Sequence, residues 1–396
     1  MSSTDSPATG GQDRGVSTLE LFFDLVFVYG ITQVTAYLAA DHSSAGFVQG
    51  LLLLALLWWA WVGYAWLGTT VNVKDGGIRF GMFTAMAGIL VVAIGMPEWF
   101  HDTAGGLDGP LSAPVLVALA YVTVRIANLA IYWWVARGNP GLVAAVVRLG
   151  TAVAVAGVLV VVGAVVGGTA QVVIVAVAVA LDFGGGLLGR GSGWVVSLGH
   201  FAERHGLILI IALGESIVAV GVGASGYALS VPIIVGAAIG VAIAGRLWIL
   251  YFDQSDTRLE HVLKERTGAA QAELARDVYS YLHLLLVAGI VLIALGLKTV
   301  LAKAAESGLA HPLPGYATAS FAAGIVLFLA GRQLMWARAG LPLDPRTWIA
   351  LPAAVVLGFA GLVLPAAVTA ALGFVVLHIA SPVVPERRGS PSVPAA

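Results

Sequence analysis

The stretch HFAERHGLILIIALGESIVAVG (200–221) is apolar enough to cross a membrane, yet it carries Glu203, Arg204, His205 and Glu215. Two other stretches hold the same contradiction. ELFFDLVFV (20–28) contains Glu20 and Asp24, and YVTVRIANLAIYWW (121–134) contains Arg125. A charged side chain at bilayer depth costs about 2.5 kcal/mol or more on insertion scales, so it faces a partner or a watery cavity. These charges decide both the fold class and where function is sought.

The chain around them is that of an integral membrane protein. Its 396 residues are 59% hydrophobic and 10% charged, with mean hydropathy +0.94. Soluble domains carry about 25% charged residues. A net charge of -1 gives nucleic acid nothing to bind. The absence of cysteine excludes disulfides, thiolate nucleophiles and Cys-ligated metals. No nucleotide-binding loop, nucleophile-elbow serine or His-rich centre is present, so no cofactor is expected. Residues 1–16 and 381–396 are small, polar and Pro/Gly-rich, and read as disordered tails.

A span needs about 20 apolar residues. Candidates are 17–39, 45–68, 78–96, 113–136, 142–166, 170–188, 200–222, 231–252, 277–297, 315–337, 347–363 and 365–380. The last pair is either two short helices or one long bent one, because GLVLP (361–365) offers a single break. With the N-terminus inside, the inner loops hold Lys74, Arg79, Arg137, Arg190, Arg258, Lys264, Arg266, Arg276, Arg338 and Arg346. The inner tails add Arg14, Arg387 and Arg388, while the outer loops hold only Lys298 and Lys303. The loop 97–112 carries Glu98, Asp102 and Asp108 and no base. The positive-inside rule therefore predicts about twelve helices with both ends cytoplasmic. The charged loop 253–276 reads as an amphipathic helix on that side.

The fold class expected is an all-α polytopic membrane protein in two six-helix halves, 17–188 and 200–380. A weak parallel repeat supports this. Span 1 opens with Glu20 and has Gln33 about three turns later, and span 7 opens with Glu203 and has Glu215 at similar depth. WWAWVGYAW (58–66) in span 2 echoes LWILYFD (247–253) in span 8. Span 4 carries Arg125 before Tyr132, Trp133 and Trp134, and span 10 carries Arg332 before Trp336. Such repeats are common in transporters, with the site between the halves.

STLELFFDLVFVYGITQ (17–33), WWAWVGYAW, HFAERHGLILIIALGESIVA (200–219) and LWILYFD together resemble the low temperature requirement A (LtrA) family of bacterial membrane proteins. The resemblance runs from about Val16 to the last span. It implies a multi-pass inner-membrane protein linked by name to growth in the cold, and it implies no particular substrate.

Depth follows from a rise of about 1.5 Å per residue. Arg125 and Glu215 fall near mid-membrane. Glu20, Asp24, Arg148, Asp182, Glu203, Arg204, His205, Arg246, Asp253, His283 and Arg332 fall in the cytoplasmic half or at its edge. Acids and arginines nearly balance, which predicts ion pairs between helices, since the Arg fork binds a carboxylate in bidentate fashion. Glu20 is expected to cap its helix and Asp24 to pair. Glu215, flanked by Gly214 and Ser216, is the best candidate for carrying a proton or for pairing with Arg125. Arg125, Asn128 and Tyr132 form one polar stripe that suits an anionic group or a partner such as Glu215 or Asp182. His200, Glu203 and His205 invite a metal reading, but 205 is turned away from 200, so an interfacial network is favoured. The tryptophans read as an aromatic belt or, less simply, as a stacking pocket.

Three functions fit. The first is a secondary transporter of a small solute, with Arg125 and Glu215 at the site and Asp24 and Glu203 in coupling or gating by a proton or cation. The second is a membrane-embedded enzyme acting on lipid or isoprenoid head groups through Asp24, Glu203 and His205. The third is a non-catalytic component whose charges are structural.

Overall fold

Hydrocarbon offers no water to satisfy peptide N–H and C=O groups, so an apolar run that crosses it closes its hydrogen bonds internally as a helix. The computed structural model of the chain describes residues 15–70, 75–100, 112–188 and 198–381, and it obeys this constraint throughout. Lys74, Asp102, Asp108, Arg190, the residues before 15 and those after 381 lie outside the described residues.

The first half contains α1 (Thr18–Ala40), α2 (Ser44–Gly68), α3 (Gly76–Ile94), α4 (Ala113–Ala136), α5 (Pro140–Val166) and α6 (Gly168–Leu188). The second contains α7 (Leu198–Gly223), α8 (Val231–Lys264), α9 (Gly268–Glu306), α10 (Gly315–Ala339), α11 (Thr347–Ala360) and α12 (Ala366–Ala380). Ten of these are long and apolar enough to cross a membrane. The protein is an all-α polytopic membrane protein. Side chains such as Phe80, Val158, Val241 and Phe359 point outward, as a lipid-facing surface requires.

The ambiguous run after Trp348 is two helices. They turn at 361–365, where Ala366 N–H donates to His311 O at 2.9 Å. At 14 and 15 residues they measure roughly 21–23 Å, short of a bilayer's hydrocarbon thickness. The tight α5–α6 hairpin depends on Gly167 and Gly168, with φ of 70° and 59°, values that a side chain would resist.

The charged segment 253–276 departs from the single amphipathic helix expected of it. It is a helical hairpin formed by the C-terminal extension of α8 and the N-terminal extension of α9. Each extension joins its span through a wide π-type turn, at 249–256 and 276–282. Leu259, Leu263, Leu274 and Ala275 bury one face of this hairpin, which polar residues conceal from a hydropathy reading. Tryptophans close on the π turns. Trp58 donates to Ser280 O at 2.7 Å, Trp66 to Ser280 Oγ at 2.8 Å, and Trp336 to Ser255 Oγ at 3.1 Å. Widened turns expose carbonyls and hydroxyls that need such donors.

Contacts within the two halves share a neighbour-to-neighbour order but differ in detail. In the first, α1 packs on α2 and α3, α3 on α4, α4 on α5, α5 on α6, and α2 on α4 and α6. In the second, α7 packs on α8 and α9, α8 on α9 and α12, α9 on α10 and α12, α10 on α11 and α12, and α11 on α12, while α8 meets α10 through its C-terminal extension. The halves meet through α1 and α2 against α7 and α9. The start of α1, the end of α2 and the start of α7 converge at one end of the bundle, which we call the near end. There a Cβ on Gly68 would lie 2.4 Å from Glu20 Oε1 and 3.1 Å from His200 Cε1.

Helix α9 is buried along most of its length and crosses α10 at backbone contact. A Cβ on Gly324 would sit 2.6 Å from Gly289 O, and one on Gly289 would sit 2.7 Å from Gly324 O. Small residues at such crossings let backbones approach. No flexible side-chain end is there to give way. Gly324→Val should therefore destabilise the protein by about 3 kcal/mol or more. Gly221→Ala, which meets nothing within 4 Å, should leave the melting temperature in detergent unchanged. Melting followed by intrinsic tryptophan fluorescence checks both.

Candidate functional site

The N-terminus of α1 is fixed by a capping box. Glu20 N–H donates to Ser17 Oγ at 3.3 Å, and Glu20 Oε2 accepts from Ser17 N–H at 2.9 Å. The same carboxylate reaches across to α7, where Oε1 lies 3.0 Å from His200 Nε2 and 3.6 Å from Arg204 Nη1. One turn on, Asp24 Oδ1 accepts from Arg204 Nη2 at 2.5 Å and from Trp61 Nε1 at 2.8 Å. Arg204 is fully buried, donates to Tyr64 O at 3.3 Å and lies 5.5 Å from the Trp61 ring. Glu20 thus caps and pairs, and Asp24 pairs. Glu203 stands apart: it is exposed and accepts from Val16 N–H at 3.1 Å.

A second polar contact crosses the same helix pair nearer the middle of both helices. Thr32 Oγ1 donates to Glu215 Oε2 at 2.6 Å. The Thr35 hydroxyl is a further donor within reach, and Lys298 on α9 exerts an attraction. Thr32 stands twelve residues after Glu20, and Glu215 twelve after Glu203. Glu215 is 3% exposed, and no Arg is paired with it among the described residues.

Arg125 pairs within the first half. Its Nη1 and Nη2 meet Asp182 Oδ2 and Oδ1 at 2.7 and 3.1 Å, and Nη1 also meets Tyr121 Oη at 3.3 Å. Of the partners weighed for it, the structure gives Arg125 to Asp182. Asn128 and Tyr132, on the same stripe, turn with it towards a cleft bounded by α2, α5, α6 and the start of α9.

His205 occupies a different setting. Its Nδ1 lies 2.9 Å from Phe201 O, and Trp61, Trp58, Phe201, Tyr279 and His283 ring it. His200, Glu203 and His205 therefore point to three separate neighbours. In the second half, Arg332 donates to Gln254 Oε1, Asp344 Oδ2 and Thr347 Oγ1 at 2.8, 2.8 and 2.9 Å. Arg246 donates to Ser381 O at 3.2 Å and lies 5.6 Å from the Phe374 ring.

Sequence reasoning missed several of these partners. The Tyr251 Oη–His283 Nε2 contact at 2.7 Å joins α8 to α9. Gln254, Asp344 and Thr347 enclose Arg332, and Ser280 receives two indoles. Lone polar residues near helix ends give no periodic signal. The π turns that present Ser280 and Ser255 have none either.

Breaking a buried pair leaves one charge unmatched, which costs about 3–5 kcal/mol, whereas replacing both partners is far milder. Arg125→Met and Asp182→Leu should each lower the melting temperature sharply. The double variant should recover most of the loss. Near-additive losses would show that the two side chains are not coupled.

The chain was compared with known proteins. The description "Bacterial low temperature requirement A protein (LtrA)" matches residues 15–381. A relative from Rhizobium meliloti (strain 1021), described as uncharacterized protein RA0937, is 27% identical over 336 residues, covering 80% of this chain and 76% of its own length. No solved structure matches. A match that spans both charged motifs and all twelve described helices places the chain in the bacterial low temperature requirement A family.

Proposed function

We propose that the protein is a secondary transporter of a small solute in the bacterial inner membrane, with its near end and both termini in the cytoplasm. The observation that carries this reading is the seam between α1 and α7. Here α1 and α7 face each other through buried polar residues at two depths. The weak repeat read in the sequence would relate these two helices, and parallel repeats place transport sites at their interface.

In this reading the Glu20–Asp24–His200–Arg204 cluster closes the near end. Glu215, held by a hydroxyl and not by an arginine, is the group that exchanges a proton or cation during the cycle. Arg79, Arg137, Arg258, Lys264, Arg266, Arg338 and Arg346 flank the near-end segments, which supports the cytoplasmic assignment. A lipid-directed acid–base enzyme finds less support, since Asp24, Glu203 and His205 do not converge.

The test is electrical. Proteoliposomes are immobilised on a sensor and challenged with a panel of soluble carboxylates, phosphate esters and amines. A solute-dependent current is expected from the wild type. Glu215→Gln should lose it about 100-fold, as loss of an essential proton-transfer group does, with its melting temperature held within a few degrees. A silent wild type, or a Glu215→Gln that misfolds, would remove the reading.

A further inference from the structure

We propose that the cleft between α2, α4, α5, α6 and the start of α9 binds an organic anion, a molecule with a carboxylate or phosphate head on a flat apolar body. This names the substrate class of the permease proposed above. It takes its role from that reading, but its existence stands on separate observations.

The first observation is charge. Arg125, Arg148 and Arg276 line the cleft, and among the described residues no carboxylate does. Asp182 occupies both Nη atoms of Arg125 from behind the wall. Asp277 is shared between Arg276 and Arg338, each at 2.7 Å, so it balances one of them. Arg148 has an exposed side chain and makes no hydrogen bond or ion pair among the described residues. The cleft therefore carries uncompensated positive charge, which attracts an anion and repels an amine.

The second is an unfilled hydrogen-bond donor. Asn128 is 3% exposed and lines the cleft one turn from Arg125, and its Nδ2 makes no hydrogen bond among the described residues. Native proteins rarely leave a buried amide unpaired, and a ligand oxygen would satisfy it. An amide N–H beside guanidinium groups suits a carboxylate or phosphate head.

The third is shape. The cleft is a partly open concavity with an enclosed volume of about 110 Å³, enough for an anionic head group, and the rest of a ligand would lie in its mouth. Two tryptophans form fixed walls. Trp59 stacks on Phe183 at 4.0 Å and 20°, and Trp66 is anchored through its indole N–H to Ser280. Gly63 keeps the space open, since a Cβ there would approach Asn128 Oδ1 to 3.1 Å. Rigid aromatic faces suit a flat body.

The same head chemistry occurs on soluble anions and on anionic lipids, and the experiment separates them. The full-length protein is placed in nanodiscs of phosphatidylcholine or of phosphatidylglycerol. 1-Naphthyl phosphate is titrated calorimetrically, with naphthylmethylammonium as the cationic counterpart. In phosphatidylcholine we expect saturable binding of the phosphate near one per protein, and none of the ammonium. Arg148→Gln, whose wild-type side chain holds no other residue, should keep the wild-type melting temperature and weaken binding about tenfold or more. Asn128→Ser should weaken it in the same direction. Binding that survives in phosphatidylglycerol marks a soluble ligand, and binding lost only there marks the lipid head group as occupant. Both support the site. No saturable binding in phosphatidylcholine, or equal affinity in Arg148→Gln, overturns it. Binding without any solute-driven current would retain the site and discard the permease. Currents with no anion bound would do the reverse.

Discussion

The structure turns on Arg204. A fully buried guanidinium is tolerable only if its charge is matched, and here both of its Nη groups also find acceptors. Asp24 and Glu20 match it from α1, Tyr64 O accepts from it on α2, and Trp61 covers it. Because Arg204 belongs to α7, this one residue draws three helices from both halves together. The capping box that starts α1 shares Glu20 with the same cluster, so the position of the helix start and the position of the seam are set by one carboxylate.

From that constraint the other charges sort themselves by locality. Arg125 finds Asp182 two helices on within its own half, and Arg332 finds Asp344 just beyond its own helix. These pairs fix packing inside the halves. Glu215 differs, because its partner is a threonine hydroxyl across the seam. A hydroxyl contact costs less to break and remake than a bidentate ion pair. The seam thus has a strong contact at the near end and a weaker one at mid-depth, an arrangement suited to motion of one half against the other.

Much of this was legible in the sequence, and the exceptions have physical causes. Helix positions followed from apolar length, since a membrane permits only one way to satisfy the backbone. The cap at Glu20 followed from an acid standing at the start of an apolar helix, where it complements the helix dipole; that Ser17 completes a capping box emerged only from the structure. That Arg204 and Arg125 would pair was readable from the near balance of charges. Which carboxylate each would take was not, because Asp24 lies 180 residues from Arg204 and no local pattern links them. The continuation of α8 and α9 beyond the membrane was hidden by a solvated face rich in Asp, Glu and Arg, although Leu259 and Leu263 mark its buried side. The cleft beside Asn128 was also invisible, for it depends on the α9 extension that closes one wall.

The transport proposed above requires the halves to move about the α1–α7 seam. The natural chain lacks cysteine, so paired spin labels can be placed on it without background. Ser44→Cys at the start of α2 and Ser225→Cys just after α7 put exposed labels on opposite sides of the seam, at the end away from Arg204. Distance distributions by pulsed electron resonance, in nanodiscs with and without 1-naphthyl phosphate, test the claim most directly. The account predicts two populations whose balance shifts with the anion. A single narrow distance, unchanged by the anion and by Glu215→Gln, would contradict it.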